Sequence, residues 1–497
     1  MKKKRDNKMA LEKAPEKSLE KEKWLILTVI VIKMIMDGLD GSMLNIALPT
    51  ISKSLGVTSG AIIWIVSSYS ITTSAAVLFF GRLGDIIGKT KFYIIGIAIY
   101  AISTLFGGLA DSLATLVASR VVMAIGASCT MANSQGIIAM VFPQHQRGRA
   151  LGIYGSAISI GSLAGPALGG LIVTHLNWQY IFWLKAPFAV AAFLLGIKYF
   201  PKDTPSKKET VDYPGAFLYI IAIVPLLYSL QQGYASGYTS VAILSGLALS
   251  LVAFTAFFTL QVKKPMPLLD LGIFKNPVYS VNLFVAFLLS FTFSFQGVII
   301  PFYMQGVLNI SAATAGLYMT ISPVIMLLVT PVSGYLCDKV GGDILVAVGQ
   351  TISCAGMLML ATLTKDSRIL TMMIYFCIIT FGSSLFQAPN NALIISSLPP
   401  DKFGIGGSAS MAVRMIGSTL GTAFTTAVLY GGMSKVLGYR VTGYTQGSGQ
   451  DDAFMYGMNN AFIIAAALCV LATIVSVLRV IRLKKDKANL RSLQGQE

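Results

Sequence analysis

Two carboxylates sit where carboxylates rarely do. Asp37 and Asp40 are the only acidic residues well inside an apolar run, within WLILTVIVIKMIMDGLDGSMLNIALP at residues 24–49. Lys33, Asp37 and Asp40 fall at i, i+4 and i+7, so on a helix they share one face. A charge at the centre of a membrane-spanning helix costs at least about 2.5–3.5 kcal/mol, so each such group needs a partner, a watery cavity or a proton. Lys33 and Asp37 have the spacing of a self-neutralising pair, which leaves Asp40 to find a partner elsewhere. A carboxylate whose surroundings alternate between wet and dry takes up and gives off a proton as they change. That exchange is what coupling transport to protons means physically.

Four basic residues also lie inside apolar stretches: Lys33, Arg120, Lys185 and Arg414. Against two acids they leave a formal surplus of two positive charges. The surplus has two readings: some of these side chains snorkel to the interface, or they line a cavity that accepts anionic amphiphiles. Gln296, Gln387, Asn390 and Asn391 are further polar candidates for substrate contact. Phe291, Phe293, Phe295 and scattered methionines such as Met319, Met326 and Met357 lie around them, and such surfaces suit varied apolar ligands. Metal chemistry has no support: the two histidines, His145 and His175, are far apart, and the five cysteines form no CxxC. No nucleophile–base set or catalytic carboxylate pair points to an enzyme. Gly84–Thr90 comes near a phosphate-binding GxxxxGK[ST] loop but is one residue short and follows an apolar helix, not a strand.

The elements that position these residues follow from composition. The chain has 497 residues, 55% hydrophobic and 12% charged, with mean hydropathy +0.71; an average soluble domain is about 25% charged. A spanning helix needs about 20 mostly apolar residues. Fourteen such runs are present: 24–48, 61–80, 92–110, 113–139, 150–173, 178–199, 213–231, 240–260, 278–303, 313–335, 343–364, 368–396, 405–430 and 454–480. The net charge of +17 comes from Lys and Arg crowding both tails and alternate loops. The other loops hold only Lys53, Lys365, Arg368, Lys435 and Arg440. This is a topology signal that puts both termini in the cytoplasm, and it argues against a nucleic-acid surface. Residues 1–23, a mixed Lys/Glu stretch, read as a disordered tail rather than a signal peptide. At 1.5 Å per residue, Asp40 lies about 12 Å below the outer end of its helix, with Arg120 and Lys185 each at about 10 Å. Arg120 is therefore the expected partner of Asp40. Arg414 lies about 13 Å in from the inner end.

The chain repeats itself weakly. GRLGDIIG at 81–88 and GYLCDKVG at 334–341 both read Gly-x-x-x-Asp-x-x-Gly, and both fall in expected cytoplasmic loops. Repeated halves are a common transporter plan. These residues, with LDGSMLNIALPTI in the first run, Arg120 in RVVMAIGAS and GSAISIGSLAGPALGG in the fifth, resemble the major facilitator superfamily, specifically its fourteen-helix drug:proton antiporter branch. Two departures stand out. Ile86 follows the first motif's Asp where the family usually has a basic residue, and Lys185 occupies a position commonly held by Asn.

The resemblance implies an all-α membrane fold of two pseudo-symmetric six-helix bundles, 24–199 and 278–481. A linker, 200–277, would carry two inserted helices, and 482–497 would be a second cytoplasmic tail. It implies a monomer in the plasma membrane of a bacterium that moves small amphipathic molecules against protons, with the proton gradient as its energy source and no cofactor. Asp40, Asp37 and Arg120 become the proton-coupling candidates; Lys185, Gln296, Gln387, Asn390 and Arg414 the substrate-cavity candidates. Gly81, Gly84, Asp85, Gly88, Lys89 and Asp338 become gating residues at the cytoplasmic turns, where Asp85 can pair with Lys89 or Lys91 or dock on helix ends. Gly165, Pro166, Gly169 and Gly170 would form a hinge at a closed outer gate, or simply pack tightly. Drug export is the expected activity; transport of one dedicated, anionic amphiphile is the alternative.

Overall fold

The computed structural model describes residues 2–57, 59–62, 64–203, 211–237, 239–399, 402–439, 441 and 450–494. Its long helices are α1 (Lys2–Leu55), α2 (Trp64–Ile87), α3 (Lys89–Gly108), α4 (Leu113–Val141), α5 (Gln144–His175), α6 (Tyr180–Tyr199) and α7 (Tyr213–Ser236). They continue with α8 (Val241–Lys263), α9 (Pro277–Phe302), α10 (Thr314–Val340), α11 (Gly342–Leu360), α12 (Ile369–Ser396), α13 (Phe403–Leu437) and α14 (Asp451–Gln494). Thirteen described helices are long and apolar enough to cross a membrane. The part of α1 from Trp24 onward makes the fourteenth, although Lys33, Asp37 and Asp40 interrupt its apolar run.

Local signals explain the helix starts. Ser112 and Thr115 form a reciprocal capping box that opens α4. Asp212 caps α7 through the Gly215 N–H at 2.9 Å. Asn276 caps α9, with Pro277 at the first helical position. The helices outrun their apolar cores. Residues 2–23, read from sequence as a disordered tail, are helical backbone continuous with α1; their Lys, Glu, Ala and Leu content has good helix propensity. At the other end α14 runs on through residues 482–494.

The repeated motif is also helical, not a loop. Gly81–Ile87 form the last turns of α2, and only Gly88 leaves the helix, at φ 133°. Gly341, its counterpart, turns from α10 into α11 at φ 98°. Positive φ explains why both copies of the motif end in glycine. Helices α1–α6 pack together as one half and α9–α14 as the other, while α7 and α8 pair with each other and α7 leans on α2 and α13. The inserted pair thus sits beside a seam between the halves. A second seam joins α5 to α10.

Candidate functional site

Helix α1 delivers its polar face into the core of the first half. Lys33 Nζ lies 2.5 Å from Asp37 Oδ1 and stands 3.9 Å over the ring of Tyr100. One turn on, Asp40 binds two cations. Arg120 Nη1 from α4 meets Oδ2 at 2.6 Å, and Lys185 Nζ from α6 meets Oδ1. Arg120 also donates through Nε to the Ile65 carbonyl at 3.1 Å and stacks 4.3 Å over Tyr69. Lys185 and Lys33 are fully buried, and Asp40 and Arg120 each expose 2%. Charges this deep persist only when opposed and hydrogen-bonded. The cluster holds three cations and two anions, so it carries one net positive charge. Asp37 Oδ2 is buried with no hydrogen-bond partner.

The Arg120–Asp40 pair is the one that depth matching predicts. Lys185, expected as a cavity residue, is placed as a second counter-ion to Asp40, buried in the first half. Its depth equals that of Arg120, but depth alone does not tell which way a helix faces. Tyr69 and Tyr100 went unnoticed in the sequence because aromatic residues are common throughout it, and no spacing rule ties them to a distant cation.

The second positive charge of the surplus sits in the other half. Arg414 on α13 donates through Nη2 to Asn391 Oδ1 at 2.8 Å. Asn390, with its amide oxygen turned toward Arg414, accepts at 3.0 Å. No described carboxylate pairs with Arg414, and its Nε has no partner. The structure therefore brings together three expected residues, Arg414, Asn390 and Asn391. Gln296 on α9 is buried with both amide atoms unpartnered, and Gln387 lies half-buried one turn before Asn390 and Asn391. An aromatic cluster of Phe291, Phe295 and Phe424, with centroids 5.6–6.2 Å apart, joins α9 to α13. Among the described residues no group of three His, Cys, Asp or Glu side chains could hold a metal ion, and all five cysteines are free thiols.

Two aspartates interlock the halves. Asp85, at the end of α2, lies 2.5 Å from Lys89 and accepts the N–H groups of Gly404 and Ile405 at 2.9 and 2.6 Å. These N–H groups belong to the first turn of α13, where free donors and the helix dipole favour an anion. Asp338, at the end of α10, accepts the N–H groups of Gly148 and Arg149 in the first turns of α5, both at 2.8 Å. Each half thus caps a helix of the other through the same motif position. The backbones come very close beside the second contact: a Cβ on Gly334 would lie 2.2 Å from the Gly148 carbonyl oxygen. The end of the bundle that carries both tails is therefore shut.

The α5 glycines expected to hinge an outer gate or simply to pack tightly lie in part against α1. Gly165 and Gly169 pack on Ser42 and Met43 of α1, within their own half, and Gly170 has open space beside it. Pro166 lies between them in an unbroken α5. The α5–α10 contact between halves is made instead at Gly148 and Gly152, against Thr330, Pro331 and Gly334. The helix-end donors at Gly148, Arg149, Gly404 and Ile405 were not singled out from sequence. Their signal was present in RGRALG and FGIGG, a glycine near the start of the fifth and of the thirteenth helix.

Comparison with known proteins agrees with this architecture. The sequence profile of the Major Facilitator Superfamily matches residues 30–422 and 282–496. The riboflavin transporter RibZ of Clostridioides difficile (strain 630) is 32% identical over 92% of this chain and 97% of its own length. The multidrug transporter protein MdtP of Bacillus subtilis (strain 168) is 27% identical over 84% of this chain and 77% of its own. Among solved structures, the human organic anion transporter MFSD10 superposes with a TM-score of 0.64 at 14% identity, over 91% of this chain and 99% of that one. With two interlocked six-helix halves and a profile match over most of its length, the chain belongs to the Major Facilitator Superfamily and is a multi-pass membrane transporter, not an enzyme.

Proposed function

We propose that this transporter exports amphipathic compounds in exchange for protons, by alternating access, with both termini in the cytoplasm and one chain as the working unit. The observation that carries the reading is Asp40, a buried carboxylate in α1 gripped by Arg120 and Lys185. For Asp40 to take a proton, both cations must be drawn away or hydrated, and only a change in the shape of the first half does that. Protonation and conformation are then two descriptions of one step. With the inner end shut by Asp85 and Asp338, Asp40 is ion-paired, and its protonation belongs to the change of shape that parts it from Arg120 and Lys185. Arg414, Asn390, Gln387 and Gln296 are the polar contacts for substrate, and the Phe291–Phe295–Phe424 cluster supplies its apolar seat. The resemblance to multidrug exporters such as MdtP is consistent with this reading.

A second reading, one dedicated substrate, is favoured by the 32% identity to a riboflavin transporter over nearly the whole chain. Buried amides with unmet hydrogen-bonding capacity suit a polar heteroaromatic ligand better than a lipophilic cation, because such groups reject ligands that cannot satisfy them. Proteoliposomes containing the purified chain and a pH-sensitive dye test both readings. A panel of cationic, neutral and anionic amphiphiles, with a flavin among them, should evoke substrate-dependent proton movement. Responses to several chemically unlike compounds support drug export, and a response to one alone supports a dedicated carrier. Downhill substrate flux without proton movement overturns the coupling.

A further inference from the structure

A basic pocket and an apolar slot meet at the tail-bearing end of the seam where α7, backed by α8, leans on α2 and α13. The pocket, about 510 Å³, is lined by four cations, Arg82, Lys264, Lys275 and Lys402, and by two carboxylates, Asp85 and Asp270. Both carboxylates are already engaged. Asp85 binds Lys89 and the α13 N–H groups, while Asp270 binds Lys402 at 2.5 Å and the Gly272 N–H at 2.8 Å. Lys402 is thereby paired and Lys264 is held by Asp212; with Lys89 and Asp212 counted beside the lining residues, five cations meet three carboxylates, so the mouth carries a net positive charge. The slot, about 490 Å³, is walled by Tyr219, Phe254, Phe257 and Phe274, with Ala409 and Ala412 of α13 on the far side. Leu271 lines both.

The slot reaches the surface apart from the polar core. Phe258 on its rim is 45% exposed on the outer face of α8, and none of Gln296, Asn390 or Arg414 lines it. Ala409 and Ile416 follow Lys402 along α13 by about two and four turns, placing the slot about 10–21 Å beyond the basic mouth. One leaflet of hydrocarbon is about 15 Å deep. A basic mouth at the membrane surface above an aromatic slot of leaflet depth fits one molecular shape.

We propose that this composite site holds one anionic phospholipid, its phosphate in the basic pocket and an acyl chain along the slot. A phosphate there reaches Arg82 of the first half and Lys402 at the head of α13, and it lies beside Asp85. The lipid thus ties the two halves together on their shut side. The inserted helices acquire a role: α7 and α8 wall the slot and supply Lys264. Basic residues next to a membrane attract anionic lipid, so the site selects by charge as well as by shape.

The test uses the full-length chain, purified and delipidated. Dioleoyl-phosphatidylglycerol, dioleoyl-phosphatidylcholine and inorganic phosphate are compared by native mass spectrometry and thermal unfolding. Phosphatidylglycerol should remain bound at one per chain and raise the unfolding temperature, while the other two do neither. The surface double variant Arg82→Gln/Lys275→Gln should weaken phosphatidylglycerol retention at least tenfold. Ala412→Phe, which fills the slot, should weaken it without changing the charge. A photoreactive acyl-chain analogue of phosphatidylglycerol on the unmodified protein should label α8 and α13, a readout that needs no variant to fold. Equal retention of both lipids, a full thermal shift from phosphate alone, or labelling confined to other helices overturns the proposal.

Discussion

Asp40 holds two cations with one carboxylate, and that arithmetic decides how it must be tested. Changing Asp40 to Asn raises the charge of the buried cluster from one to two and leaves Arg120 and Lys185 without a counter-ion. Breaking a buried pair in this way costs about 3–5 kcal/mol, enough to confuse lost folding with lost coupling. The double change Asp40→Asn/Lys185→Asn returns the cluster to one positive charge. It should restore most of the unfolding temperature lost by Asp40→Asn alone and still bind substrate, yet abolish uptake driven by a pH gradient in vesicles. Gradient-driven transport by the double variant would remove Asp40 from the mechanism. The Asp40–Arg120 pair was legible in the sequence because two helices of known length and opposite direction fix depth. Lys185 was legible in depth but not in role, since rotation about the helix axis is set by packing among α1, α4 and α6.

Helix ends, more than helix middles, carry the specific contacts in this molecule. Asp212, at the head of α7, accepts from Gly215 N–H and Gln261 Nε2, pairs with Lys264 and receives the Leu268 N–H. Burial pushes its carboxyl up, but Lys264, Gln261 and the two N–H groups outweigh burial and hold it below its usual value. A depressed carboxyl contributes stability that is complete above about pH 4 and is lost as pH falls through its folded-state value. At pH 7 Asp212→Asn should therefore cost about 1.5–3 kcal/mol. The gap in unfolding temperature between wild type and variant should close as the pH is lowered toward 3, and a gap that widened would refute the assignment. Apolar length marked all fourteen helices in the sequence, with most ends within a few residues. It stopped short wherever a helix left the hydrocarbon, as in Gly81–Ile87 of α2 and Ser434–Leu437 of α13, because hydropathy measures the solvent and not the backbone.

At the scale of the whole molecule, the shut end rests on close backbone approach as much as on charge. A side chain at position 334 cannot coexist with the Gly148 carbonyl at 2.2 Å, so Gly334→Val should hold the inner end open. Spin labels on the inner ends of α5 and α10 should then report a longer distance than in wild type, by several ångströms, in electron-resonance measurements; an unchanged distance would mean the contact yields elsewhere. The two aspartate contacts have one further property. Asp85 and Asp338 each grip a pair of main-chain N–H groups, so recognition between the halves is blind to side-chain identity at Ile405 and Arg149. Any residue but proline offers the same N–H there. The first motif can thus carry Ile86 where a basic residue is usual and still fasten, since across the seam it binds a helix end, and its side-chain partner Lys89 belongs to its own half. The halves are free to drift apart in sequence at these positions without forgetting how to close on each other.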